Sequence, residues 1–215
     1  GLANTKTMTF NPEGIDLDNW KSTLAASEQN SDLPSFITEM KNLNLTNSIF
    51  IDNTANEAVA SYYESILDHS ISISTPNKIA TSSSYLQYQR LKTIAAKRGV
   101  AFRYETNVGA GLPVISTLND LIESGDQVLG IQGVLSGSLS FIFNNFDGSR
   151  PFSEIVQEAR DRGYTEPDPR VDLSGMDVRR KILILAREAG WSLEKEDIHI
   201  EPILPKAVQE AEDVD

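Results

Sequence analysis

The 215-residue sequence reads as an α/β protein whose architecture changes near residues 107–113. Three observations lead there. Short β-rich runs alternate with helix-period segments through the first half. The second half abandons that alternation for helices and one long strand candidate. With 40% hydrophobic residues, the chain also has enough apolar material for one large domain or two small ones.

The opening GLANTKT reads as strand or loop, followed by helices near 16–27 and 33–43. SIFID (48–52), SISIS (70–74) and AFRYET (101–106) are strand candidates bounded by turn residues. Helix-period segments at 55–69 and 82–99 separate them. The second of these ends on Lys97, Arg98 and Gly99, a basic last turn and a stop residue. Strands and helices in this order predict parallel pairing with right-handed crossovers. A doubly wound sheet usually opens on a strand and a Gly-rich turn, and this sequence has neither, so it reads as starting in mid-fold. Beyond a GAG turn at 109–111, the spacing predicts a strand at 127–135 and helices at 153–162 and 174–189. The acidic tail AVQEAEDVD is expected to fray.

Composition removes several functions. The net charge of −12 repels phosphate backbones and anionic lipid, so nucleic acid and membrane surfaces are poor partners. No run of eighteen apolar residues offers a membrane span. The N-terminus lacks the regions of a signal peptide, which points to the cytoplasm. The absence of cysteine excludes disulfides, thiolate metal sites and cysteine nucleophiles. With only His69 and His199, both read as structural or surface residues, acid–base chemistry falls to Lys, Asp, Glu or Tyr.

Four stretches remain as candidate chemistry. GAG follows a strand and precedes a helix, but Val114 stands where a dinucleotide fingerprint needs glycine. A tight turn fits better, and its carbonyls, with Glu105 upstream, are donors that hard cations prefer. Lys78 in STPNK and Thr54 in DNTAN sit at the carboxyl ends of predicted strands, where open α/β sheets bind ligands. Lys78 reads equally as an exposed turn lysine. The richest stretch is GYTEPDPRVDLSGMDVRRK, residues 163–181. A helix from about Ser174 would place Val178, Ile182, Leu185, Ala186 and Ala189 on one apolar stripe. Asp177 and Lys181 would share a second face with Glu188, while Arg180 and Arg187 would point toward solvent. Pro167 and Pro169 stiffen the approach and can hold Tyr164, Glu166 and Asp172 over the helix start. An i,i+4 Asp–Lys pair alone is usually a surface salt bridge. Carboxylates gathered around one lysine suit a zwitterionic ligand.

Taken with GLANTKT, DNTAN, STPNK, TNVGAGLPVI and GVLSGSLSFIFN, this stretch resembles homoserine dehydrogenase, most closely the form fused to aspartokinase. The long signature is met by Ala159, Gly163, Pro169, Asp172, Leu173, Gly175, Asp177 and Lys181. The resemblance implies a partial Rossmann-like nucleotide-binding domain at 1–107, without its Gly-rich turn. It implies an α+β catalytic and dimerisation domain at 108–215, so that the chain is expected to be truncated at both ends. It further implies reversible NADP- or NAD-dependent conversion of aspartate 4-semialdehyde to L-homoserine. Lys181 would move the proton at the substrate oxygen, with Asp177 beside it. Glu166, Asp177, Asp172 and Tyr164 would bind substrate, and Asp177 is expected to face its ammonium group or a water. Lys78 and Thr54 would lie at the cofactor. Glu105, with carbonyls of Val108, Ala110 and Leu112, would hold a structural sodium ion. A homodimer and an aspartokinase domain in the same full-length chain are the implied partners. A non-catalytic amino-acid-binding or dimerisation piece is the alternative, as is a dehydrogenase of another semialdehyde.

Overall fold

The computed structural model describes residues 1–211. Its contacts divide the chain into two compact units. The first comprises residues 1–74 and 90–103, and the second comprises 75–89 together with the chain from 104 onward.

In the first unit, β1 (Leu2–Ala3) and β2 (Met8–Thr9) form an antiparallel pair. Helices α1 (Trp20–Ala25) and α2 (Leu33–Leu43) follow. Asp32 starts α2 by accepting the Ser35 N–H at 2.8 Å, and Asn44 ends it in the left-handed conformation. Strand β3 (Ile49–Ile51) leads to α3 (Glu57–Ala60) and α4 (Tyr63–Asp68), and β4 (Ser72–Ser74) comes next. Helix α5 (Tyr85–Arg98) then precedes β5 (Phe102–Arg103). The three strands lie in the order β3-β4-β5, all parallel, with Phe50 opposite Ile73 and Ile73 opposite Phe102. The parallel sheet expected from the alternation is therefore present. Two details differ. The segment 55–69 is broken at Ser61 and Tyr62 into two helices, and residues 105–107 turn into a single 3₁₀ turn rather than extending β5. The core under the sheet is Tyr63, Ile66, Leu67, Ile73 and Leu91, all essentially enclosed.

In the second unit, α6 (Val114–Glu123), α7 (Gly137–Asn145), α8 (Phe152–Asp161), α9 (Pro169–Leu173), α10 (Met176–Glu188) and α11 (Lys206–Gln209) succeed one another. Ile142, Ile155, Ala159 and Leu173 form a core where α7, α8 and α9 meet. The strand expected at 127–135 does not form. Residues 127–135 belong to no helix or strand, and Leu129 is 95% exposed. An extended run becomes a strand only when a neighbour takes its backbone hydrogen bonds. Of the acidic tail, Glu212, Asp213, Val214 and Asp215 lie outside the described residues. No helix among the described residues is long and apolar enough to cross a membrane. His69 and His199 are both exposed.

Candidate active site

The stretch around 163–181 folds as two helices. Asp168 is in the extended conformation that a following proline favours, and its side chain caps α9 at the Arg170 N–H. Pro169 takes the first helical position, where a missing N–H costs nothing. Gly175, at φ +71°, then allows the chain to turn into α10, so that helix starts two residues later than Ser174.

The i,i+4 spacing brings Asp177 and Lys181 together as expected, with Nζ 2.7 Å from Oδ2. Two further contacts come from far along the chain. Lys78 places its Nζ 3.4 Å from the other oxygen, Oδ1, of Asp177. The Lys181 ammonium also donates to the Leu135 carbonyl at 2.7 Å. Asp177 therefore faces two lysines, with its side chain still half exposed. Burial raises its pKa, but the hydrogen bond from Lys181 and the charges of both lysines outweigh that and hold it below the usual carboxylate range. The Lys181 side chain is 17% exposed, at the border between core and solvent.

Lys78 is held by its backbone. Ser82 Oγ donates to the Lys78 carbonyl at 2.7 Å, and Thr81 Oγ1 lies 3.1 Å from the same oxygen. Beneath them lies a buried polar network. Thr81 Oγ1 donates to Asn107 Oδ1 at 2.7 Å, and Asn107 Nδ2 donates to the Thr75 carbonyl at 3.2 Å. Asn77 caps the same turn by accepting the Ile79 N–H. Nothing in the sequence marked Asn107 or Thr81, because their partners lie 26 and 32 residues apart.

The loop before α9 carries the other expected residues. Glu166 is exposed, and its carboxylate has no partner among the described residues. Tyr164 is half exposed and packs edge-on against Phe141, with ring centroids 4.9 Å apart. Both Tyr164 and Phe141 line an open groove of about 680 Å³ with Gly137, Ser138, Asn144 and Gly163. Asp172 is engaged within the protein. Its Oδ1 accepts from Ser138 Oγ at 2.8 Å and its Oδ2 from the Glu166 N–H at 2.9 Å, so it ties two segments together. In the first unit, Thr54 is exposed just after β3, its N–H donating to Asp52 Oδ1 at 2.7 Å.

The Glu105 carboxylate, around which the resemblance implies a sodium ion, is bonded to the protein's own backbone. Both Glu105 oxygens accept backbone N–H groups at the start of α6, from Ile115 at 2.8 Å and Ser116 at 2.9 Å. The Leu112 carbonyl accepts from Val114. The one carboxylate of the set is thus engaged as a helix cap, a favourable place for negative charge. The turn itself is tight, as expected: Gly109 has φ +81°, and a Cβ there would lie 2.6 Å from Val114 Cγ2.

A correction concerns the far end of α10. Arg187, expected to face solvent, is 3% exposed, and Glu188 is 6% exposed. Residues 183–188 are buried all round, so the apolar stripe is only part of the helix's enclosed surface.

Two family models account for nearly the whole chain. Residues 7–105 match the NAD-binding domain of homoserine dehydrogenase, and residues 113–215 match the homoserine dehydrogenase domain itself. The chain belongs to the homoserine dehydrogenase family. It is 44% identical over 216 aligned residues to bifunctional aspartokinase/homoserine dehydrogenase 2, chloroplastic, of Zea mays, covering 100% of this chain and 24% of that protein. The chain thus spans about a quarter of the length of that relative. A crystal structure of a Candida auris protein of unknown function superimposes with a TM-score of 0.88 at 35% identity, covering 96% of this chain and 59% of that one. A hyperthermophilic archaeal homoserine dehydrogenase in complex with NADPH aligns with a TM-score of 0.66 at 25% identity, over 78% of this chain and 50% of that one. The family match makes the first unit's sheet part of a Rossmann-like nucleotide-binding fold.

Proposed function

We infer that the chain carries the site for reversible NAD(P)-dependent interconversion of L-aspartate 4-semialdehyde and L-homoserine. The observation that carries this reading is the disposition of Lys181. An ammonium group has three N–H donors. Among the described residues, two meet acceptors, Asp177 and the Leu135 carbonyl. The third is left for a substrate oxygen, which is where this reaction needs a proton.

The nicotinamide cofactor, when bound, supplies or accepts the hydride at the substrate carbon. The residues fit such a group: a parallel sheet with the exposed Thr54 after a strand's carboxyl end is where α/β folds hold nucleotides. Lys181 gives its proton to the oxygen during reduction and takes it back during oxidation. Asp177, kept ionised below the usual carboxylate range, holds Lys181 in orientation and draws Lys78 to the same point. Glu166, with its carboxylate unengaged, binds the substrate ammonium, and Tyr164 flanks the groove beside it. Binding through Glu166 suits a substrate that carries an amino group near the reacting carbon.

A homodimer, an aspartokinase domain in the same polypeptide and residence in the cytoplasm belong to the same proposal, the aspartokinase domain being supported by the bifunctional relatives. The Zea mays relative is described as bifunctional and chloroplastic. The test is an assay of the full-length protein for NADPH oxidation with aspartate semialdehyde and NADP⁺ reduction with homoserine. Semialdehyde-dependent turnover is expected, and its absence in a folded, NADPH-binding protein would overturn the reading. Binding of homoserine without turnover would favour a non-catalytic amino-acid-binding module.

A further inference from the structure

The four residues Leu135 to Ser138 touch both halves of the site. The Leu135 carbonyl accepts from Lys181. Ser136 caps α7, its Oγ accepting the Leu139 N–H at 3.2 Å. Ser138 lies one turn-step further on, is 6% exposed, and is not needed as the cap. Its Oγ lies 2.9 Å from Ser136 Oγ and 2.8 Å from Asp172 Oδ1.

The direction of these bonds follows from donor counting. An ionised carboxylate only accepts, so the single Ser138 proton goes to Asp172. The Ser136 hydroxyl then donates to the Ser138 oxygen. Asp172 Oδ2 accepts the Glu166 N–H at 2.9 Å. A continuous chain of hydrogen bonds therefore runs from the cap of α7 through Ser138 and Asp172 to the backbone of Glu166. Glu166 itself is exposed and stands on a loop outside any helix or strand.

We propose that Ser138 is a positioning residue for substrate binding: through Asp172 it fixes the backbone of Glu166 relative to Lys181, whose ammonium is anchored three residues earlier in the same turn. Asp172 on this account is a second positioning residue. The proposal rests on the homoserine dehydrogenase reading above, and it deepens that reading by naming what holds the ammonium-binding carboxylate in place.

The experiment uses the full-length protein and the variants Ser138→Ala, Asp172→Asn and the double variant. Hydrogen exchange at the Glu166 amide is measured alongside KM for homoserine, kcat and the Kd for NADPH. Ser138→Ala is expected to raise homoserine KM about tenfold, the scale of one hydrogen bond to a charged group. The effect on kcat should be smaller, with NADPH Kd unchanged and exchange at Glu166 about tenfold faster. Because both residues act in one chain, the double variant should be no worse than Asp172→Asn alone. A KM within about twofold of wild type with unchanged exchange at Glu166 would overturn the proposal, as would additive effects in the double variant. Should Ser138→Ala lose its far-ultraviolet circular dichroism, Asp172→Asn read by the same two measurements decides the matter. Wild-type protein without homoserine turnover would instead sink the parent reading, while exchange at Glu166 would still report on the Ser138 linkage.

Discussion

Helix α10 carries two charged clusters, one at each end, and they are built on opposite principles. At the N-terminal end, Asp177 is half exposed and Lys181 keeps one donor open. At the C-terminal end, Arg187 and Glu188 are both enclosed and partnered. Arg187 donates to the Thr81 carbonyl at 3.0 Å, to the Leu193 carbonyl at 3.0 and 2.9 Å, and to Glu194 at 3.2 Å, and lies over the rings of Tyr85 and Tyr88. Burial lowers its pKa, and the Glu194 charge partly offsets that. Glu188 accepts from Tyr88 at 2.6 Å and from Tyr104. Buried charge is tolerated only when fully satisfied, and full satisfaction leaves nothing to offer a substrate. One end is free to do chemistry because the other end anchors the helix.

Removing each cluster in turn should separate these roles. The largest effect is expected from Lys181→Ala, with steady-state turnover falling about 10²–10⁴-fold, the usual contribution of a general acid–base group. Its denaturation midpoint should stay close to wild type. A rate above a tenth of wild type would break the comparison. Next, Glu188→Ala should cost about 3–6 kcal/mol in denaturant unfolding, from two hydrogen bonds to a charged group at roughly 1.5–3 kcal/mol each.

The phenols of Tyr88 and Tyr104 sharpen the same contrast. Burial first, and then the Glu188 charge, pushes both above the ordinary tyrosine range. Raised groups contribute stability that is present below the unfolded pKa of about 10 and is lost above it. Each should reduce unfolding free energy by about 1.4 kcal/mol per pH unit beyond that point. Comparing wild type with a Tyr88→Phe/Tyr104→Phe variant at pH 9 and 11 checks it, since the variant should lack this share of the slope.

The smallest effect on stability belongs to Asp177→Asn, about 1 kcal/mol or less for a half-exposed pair. The Asp177 pKa is lowered, so its contribution exists above about pH 4 and fades below it. Chemical unfolding at pH 7 and pH 3 should show the wild-type advantage only at pH 7.

The sequence foresaw these two clusters unequally. Asp177 and Lys181 were legible because four residues make one helical turn. Arg187 was read toward solvent, and Glu188 onto the face of Asp177 and Lys181, by the same geometry, since helical period gives direction but not what covers it. Tyr88 and Tyr104 lie 100 and 84 residues from Glu188 and left no local trace of their task. Glu105 looked like a cation ligand among carbonyls, and its actual partners are amides ten and eleven residues on.

By itself, then, the sequence determined what short-range physics controls: the alternation that makes a parallel sheet, the caps at Asp32 and Asp168, the tight turn at Gly109, and the Asp177–Lys181 pair. Charge and composition also removed whole classes of chemistry without reference to structure. Only the tertiary structure decided that Lys78 meets Asp177, that the Leu135 carbonyl holds Lys181, that Asp172 ties Ser138 to Glu166, and that residues 127–135 stay unpaired. The reason is the range of the forces involved. Period and capping act within about one turn, whereas the partners of a buried or catalytic group are set by packing between segments distant in the chain, and that packing is a property of the whole fold.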